Sequence, residues 1–241
     1  MSLDELRQGI TIITGTDTDV GKTITTAALA AWLEAEGHSP CVVKPAQTGM
    51  RPDEPGDLAV VGELAGIPQE RLVEWARLPE PLAPTTAARR AGLPLPTMDA
   101  VAGRLVELTA QHPCVLVEGA GGLMVGLDEH GHGLLELASA LAHRGHQPRF
   151  VVVTRSGLGT LNHTRLTVDA LRAHDQTVTG LVIGAWPDSP SLAERCNAVD
   201  LALIAPVLAA LPAGIGENRA AAAGAIARRF PDSYPLDSGH R

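Results

Sequence analysis

Lys22, Thr23, Lys44, Asp57 and Glu118 have the types and settings for chemistry on a phosphoanion. The first two close the stretch Thr14-Gly15-Thr16-Asp17-Thr18-Asp19-Val20-Gly21-Lys22-Thr23. The apolar run Ile10-Thr11-Ile12-Ile13 precedes it, and a helix-forming run over residues 24–35 follows. Strand, glycine-bounded loop, Gly-Lys-Thr and helix is the order of a phosphate-binding loop. Such a loop turns backbone N–H groups inward, and the following helix adds free N–H groups and the positive end of its dipole. Lys22 can neutralise the outer phosphates, and the Thr23 hydroxyl can hold Mg²⁺. The usual motif has four residues between its glycines. Here five, Thr16 to Val20, separate Gly15 from Gly21.

Lys44 supplies a second cation. It follows Cys41-Val42-Val43, and Pro45 biases it to an extended backbone. Glu118 ends the apolar run Cys114-Val115-Leu116-Val117, a position suited to a metal-associated carboxylate. A carboxylate capping the turn that follows is the lesser alternative. Asp57 opens a helix over 57–65, where an N-cap carboxylate is the plain alternative. Together these residues meet the needs of phosphoryl transfer: a phosphate cradle, cations for the γ-phosphate, and oxygen ligands for Mg²⁺.

The elements that must position them alternate. Apolar strands are read at 10–13, 41–43, 114–117, 150–154, 178–183 and 207–211. Helices are read at 22–36, 57–65, 97–109 with Thr97 as N-cap, 134–142, 160–173, weakly at 191–199, and at 219–229. Residues 78–96, rich in Pro and Ala, read as an irregular insertion over the sheet with a short helix at 87–91. Residues 231–241 read as a polar tail after one domain over 1–230. Strands apolar throughout and separated by helices imply an α/β fold with a mostly parallel central sheet covered on both faces. Ligands then sit beyond the carboxyl ends of the strands. That rule gathers the loops at 15–23, 44–49, 118–122, 155–162, 184–187 and 212–214 onto one edge.

The 241 residues carry a formal charge of −8 and no basic run, which argues against nucleic acid as a partner. No apolar run has the length of a membrane span, and no signal-peptide core opens the chain. Cys41, Cys114 and Cys196 form no Cys-x-x-Cys pair. A cytoplasmic protein with reduced thiols is the expectation.

With these residues in hand, the chain resembles the dethiobiotin synthetase family, a group of P-loop NTPases. The resemblance rests on Gly15-Thr16-Asp17-Thr18-Asp19-Val20-Gly21-Lys22-Thr23 with its extra loop residue, and on Val43-Lys44-Pro45 before Gln47-Thr48-Gly49. It extends through Val117-Glu118-Gly119-Ala120-Gly121-Gly122, Leu158-Gly159-Thr160-Leu161-Asn162-His163 and Gly180-Leu181-Val182, in order from residue 10 to about 214. It implies a single-domain P-loop fold and an ATP-dependent cyclo-ligase that forms carbon–nitrogen bonds. CO₂ is inserted between the two amines of 7,8-diaminononanoate, through a carbamate and a carbamic–phosphoric anhydride.

By matching position, the resemblance makes Lys44 and Lys22 catalytic and gives the metal to Thr23, Asp57 and Glu118. Nucleotide contacts fall to Asp19, Val20, Gly21, Lys22, Thr23 and Ile24, and also to Asp57, Glu118, Gly119, Ala120 and Gly121. Thr18, Lys44, Thr48, Gly121, Gly122, Gly159, Thr160 and Asn162 are the substrate contacts. Asn162 and His163 also have plain structural readings at a helix start. A homodimer is implied, with the loop at 157–162 reaching the partner's substrate.

One departure concerns the base. Many members have Asn-Asp where this chain has Gly184-Ala185. Glycine offers no side chain to read adenine, which leaves the base to backbone groups there and at Pro212, Ala213 and Gly214. Nucleoside triphosphates other than ATP then become candidate co-substrates. The alternative from another class is a regulatory or partitioning P-loop ATPase. Such proteins commonly carry an extra lysine early in the loop, where this chain has Thr16-Asp17.

Overall fold

The structure, a computed structural model, describes residues 3–216. The helix expected at 219–229 and the tail from 231 lie outside the described residues.

The apolar runs become strands because each has two covered faces. β1 (Gly9–Gly15), β2 (Cys41–Lys44), β6 (Cys114–Gly122), β7 (Arg149–Thr154), β8 (Thr177–Trp186) and β9 (Val207–Pro212) join β4 (Leu72–Glu74) in one seven-stranded sheet. Its order is β4-β2-β6-β1-β7-β8-β9, and every pairing is parallel. Alternate residues of a strand point to opposite faces. Ile12, Val43, Val117 and Val152 accordingly pack into one core with α4 (Met98–Thr109), α5 (Leu134–Ala142), α6 (Thr160–Ala173) and α7 (Leu192–Ala202). Ile13, Val42, Leu116 and Val153 pack into the other, with α1 (Lys22–Ala35) and α2 (Asp57–Ala65). Residues 27–33 of α1 are all buried, so the helix is apolar on every side and small alanines let it sit close to the sheet. Thr97 caps α4 by accepting from the Ala100 amide.

The segment at 78–96 is more ordered than an irregular insertion. α3 (Pro84–Ala91) starts three residues before the helix expected at 87, with Pro84 in its first turn, where a missing N–H costs nothing. Ala46, Leu78, Ala87, Ala88 and Leu95 form a small core of their own. Below it, β3 (Gln47–Thr48) and β5 (Arg77–Leu78) make a two-residue parallel ribbon. The stretch at 118–122, read as loop, continues β6, and Gly184 to Trp186 continue β8. Among the described residues, no helix is long and apolar enough to cross a membrane.

Candidate active site

β2 and β6 deliver a cation, Lys44, and a carboxylate, Glu118, to a shared point; α1, after the loop that follows β1, adds Lys22 and Thr23, and α2 adds the carboxylate of Asp57. Lys44, last in β2, is 3% exposed, and Glu118 in the adjacent β6 is 1% exposed. Lys44 Nζ lies 2.7 Å from Glu118 Oε1 and 2.6 Å from Asp57 Oδ2, and donates to the Gly119 carbonyl at 3.2 Å. Thr23 Oγ1 donates to the same Glu118 Oε1 at 2.9 Å. Burial alone pulls the Lys44 pKa down; the charges of Glu118 and Asp57 outweigh it and hold the ammonium above the ordinary lysine value. Lys22 moves the other way. Burial first, and then the charge of Lys44, lowers its pKa. Its Nζ donates to the Asp17 carbonyl at 3.0 Å, folding the side chain back over its own loop.

The loop has a fixed back wall. Gly21 is left-handed at φ 95°, and a Cβ there would come within 2.8 Å of the Gly184 carbonyl oxygen. Conversely, a Cβ on Gly184 would come within 1.9 Å of the Val20 carbonyl oxygen. Two glycines thus let the end of β8 press on the phosphate-binding loop, a packing reason for Gly184 that base recognition does not supply. Arg155, after β7, grips the outer side: its guanidinium lies 2.7 Å from Asp17 Oδ2 and donates to the Thr18 carbonyl.

A cleft of about 900 Å³ opens over this cluster. Of the expected positions, Thr18, Asp19, Gly21, Lys22, Thr23, Ile24, Lys44, Thr48, Asp57, Glu118, Ala120 and Gly121 line it. Val20 and Gly119 are buried behind it, and Gly122 stands one residue beyond its lining. Gly184 backs the loop as described; Ala185 is exposed beside it. Pro212 ends β9 and Ala213 and Gly214 follow it, with Ala213 N donating to the Trp186 carbonyl. A Cβ on nearby Gly216 would meet the Ile24 side chain, so this turn borders the first turn of α1.

The positions at the start of α6 do not line the cleft. Gly159 and Asn162 are exposed, and Leu158 beside them is 92% exposed. The Thr160 hydroxyl is buried, lies 2.6 Å from that of Thr154 and donates to the Arg155 carbonyl. Its amide donates to the Gly157 carbonyl. The loop ahead is tied to α7, because Asn197 donates to the Ser156 and Gly157 carbonyls and Ser156 to Glu194.

Sequence reasoning passed over three contributors. Pro81 to Pro84 line the cleft, and so does Val125. The loop carrying Val125 is organised by Asp128, fully buried. It accepts from the amides of Met98, His130 and His132. Burial raises the pKa of that carboxyl, but these hydrogen bonds outweigh it and bring the pKa below the usual value. The third is Gln47, 3% exposed beneath Asp57.

The donor set also suits a hard divalent cation. Glu118 Oε2 is buried and finds no hydrogen-bond donor among the described residues, while Thr23 and Asp57 present oxygens beside it. No group of three or more His, Cys, Asp or Glu gathers for a metal among those residues. That is compatible with Mg²⁺, which takes one or two carboxylates and completes its shell with water and phosphate oxygens.

Comparison with known proteins gives a consistent result. A family model described as an AAA domain matches residues 10–215. The chain is 51% identical over 231 residues to the ATP-dependent dethiobiotin synthetase BioD of Rhodococcus jostii, covering 95% of this chain and 97% of that one. It is 48% identical to the protein of the same name from Streptomyces avermitilis, covering 95% and 96%, and 52% identical to that of Rhodococcus erythropolis, covering 87% and 90%. Among solved structures, the cell division ATPase MinD of Pyrococcus furiosus matches with a TM-score of 0.54 at 17% identity, covering 91% of this chain and 94% of that one. That likeness concerns the fold alone.

Proposed function

The chain belongs to the ATP-dependent dethiobiotin synthetase family, and on that premise we propose that it closes the ureido ring of dethiobiotin from 7,8-diaminononanoate, CO₂ and ATP. One observation carries the reading at the level of residues: the buried pair Lys44 and Glu118, joined by the half-buried Asp57 and Thr23 beside the phosphate-binding loop. The extra lysine common in switching ATPases lies early in the loop, where this chain has Thr16-Asp17; here the second lysine comes instead from the end of β2. The relatives' names favour the synthetase over that alternative.

In this reading one amine of the diamine adds to CO₂ and loses a proton, giving a carbamate. A carbamate oxygen attacks the γ-phosphorus and ADP leaves, forming the mixed anhydride. The second amine attacks the carbonyl carbon and expels phosphate. Lys22 and Lys44 offset the repulsion between carbamate and triphosphate and stabilise the charge that builds up in transfer. The cleft holds both amines near the phosphate, which supplies proximity without a covalent nucleophile. Thr18, Thr48 and Gly121, on the walls of the cleft, are the substrate contacts. Thr23, Asp57 and Glu118 would hold Mg²⁺, which when bound supplies positive charge to the phosphates.

The exposed Leu158, Gly159 and Asn162 support a homodimer in which this loop meets the partner's cleft. The unpaired buried thiols of Cys41 and Cys114 support work in the cytoplasm. Incubation with diaminononanoate, bicarbonate, Mg²⁺ and ATP, followed by mass spectrometry, tests the activity. The expected product is dethiobiotin with one ADP per ring closed. Nucleotide hydrolysis indifferent to the diamine, with no ring formed, would overturn the reading.

A further inference from the structure

The helix that carries Asp57 has no cap of its own. Its N-cap is Gly56, extended at φ −93° and ψ −170°, and no side chain within the helix start satisfies the first amides. Gln47, in β3 and ten residues earlier, fills that role: Oε1 accepts from the Asp57 amide at 2.8 Å. Its Nε2 donates to the Thr48 carbonyl at 3.1 Å, so both ends of the amide are used. The approach is tight. A Cβ on Gly56 would lie 2.8 Å from Gln47 Oε1 and 3.0 Å from Arg77 Nη2, which is why glycine precedes Asp57.

Arg77, paired with Gln47 across the β3–β5 ribbon, completes the grip. It donates to the Arg51 carbonyl at 3.0 Å and the Glu54 carbonyl at 2.5 Å, and is held by both oxygens of Glu74. The ribbon therefore holds the exposed loop ahead of α2 at Arg51, at Glu54 and at the Asp57 amide.

From this geometry we propose that Gln47 is a positioning residue for the metal-bearing carboxylate: it sets the Asp57 backbone so that the side chain reaches the Lys44–Glu118 cluster. The inference rests on the reading of Asp57 as a metal residue. It gives the three residues after Lys44 a second purpose: β2 ends by delivering the cation, and Gln47, which opens β3 three residues later, fixes the carboxylate opposite it. Removing an outer partner of a metal ligand typically lowers metal affinity by about 10- to 100-fold.

The test uses full-length Gln47→Met, which keeps the volume and loses the acceptor, with Gln47→Glu, Arg77→Lys and Asp57→Asn. Mn²⁺ binding is read by electron paramagnetic resonance with a non-hydrolysable ATP analogue, and exchange of the Asp57 amide by NMR. Gln47→Met should weaken Mn²⁺ binding about 10-fold and expose the Asp57 amide to exchange. Gln47→Glu, with the acceptor retained, should restore amide protection. Should Gln47→Met fail to fold, Arg77→Lys carries the same expectation for Mn²⁺. Wild-type Mn²⁺ affinity in Gln47→Met, with affinity lost in Asp57→Asn, would overturn the inference and leave the reading of Asp57 standing. Wild-type affinity in Asp57→Asn as well would overturn both.

Discussion

Lys44→Met should leave a folded but much weakened protein, and the size of the loss follows from where the charge lies. The Lys44 side chain is 4% exposed and that of Glu118 is fully buried, 2.7 Å away. At an effective dielectric near 20, each contact at this distance is worth about 6 kcal/mol of attraction before desolvation is subtracted. Desolvation consumes most of it, so the intact cluster adds little net stability. Removing one partner is different, because it leaves the other buried and unpaired, at a cost of about 3–5 kcal/mol. Asp57, with 30% of its side chain exposed, can turn to water and adds less. Urea denaturation followed by circular dichroism should therefore place Lys44→Met about 3–5 kcal/mol below wild type, and turnover should be nearly lost. Adding Glu118→Gln to Lys44→Met removes the stranded charge and should recover about 2 kcal/mol. Losses that simply add within about 0.5 kcal/mol would refute the coupling. The pH sign follows too. Lys44 has a folded pKa above the unfolded 10.5, so its contribution is fully present below 10.5 and lost as pH rises through the folded value. The advantage of wild type over Lys44→Met should persist up to that point and then shrink.

Three further outcomes are expected. Lys22 has a pKa lowered from 10.5 by burial and by Lys44, and a bound triphosphate should raise it again. Calorimetry in buffers of different ionisation enthalpy, at alkaline pH below 10.5, should show proton uptake on nucleotide binding; proton release would contradict it. In the same window the unfolded chain holds the proton that the folded chain has lost, so the Lys22 contribution favours folding as pH rises. Because Gly184 offers no side chain to the base, kcat/KM for CTP, GTP and UTP should fall within about 100-fold of that for ATP; strict dependence on ATP would refute this. Burial raises the thiols of Cys41 and Cys114 to about 11 and about 12, while Cys196 is exposed. A thiol reagent at neutral pH should modify one cysteine quickly in the native protein and all three only after denaturation.

Much of this was legible in the sequence because the informative elements are long and locally determined. α1, with its alanine-rich run between Gly21 and Gly37, and α4, with its Thr97 cap, follow from composition and capping. The parallel sheet follows from strands that are apolar on both faces. The convergence of Lys44 and Glu118 follows from their places at strand ends, once the sheet is parallel. What was not legible depends on pairing. Gln47-Thr48 and Arg77-Leu78 are too short to show any period, and only their contact makes them strands. Glu118 to Gly122 read as loop because glycines are poor strand formers, yet β1 holds this stretch in the ladder as far as the Gly15–Gly122 pair. Gly184 looked like a lost base-reading side chain; its role against Val20 needs the fold. Asp57 gave equal grounds for a cap and for a metal residue. The structure leaves its backbone amide to Gln47 and its carboxylate to Lys44.

The most direct test of the central claim follows the oxygen atoms. In a rapid single turnover from diaminononanoate, ATP and C¹⁸O₂, phosphorylation of a carbamate carries one labelled oxygen into the released phosphate and leaves one in the ureido carbonyl. Mass spectrometry of both products should find one label in each. Unlabelled phosphate, with ATP consumed and the ring closed or not, would contradict transfer of the γ-phosphoryl group to a carbamate over the Lys22–Lys44 site.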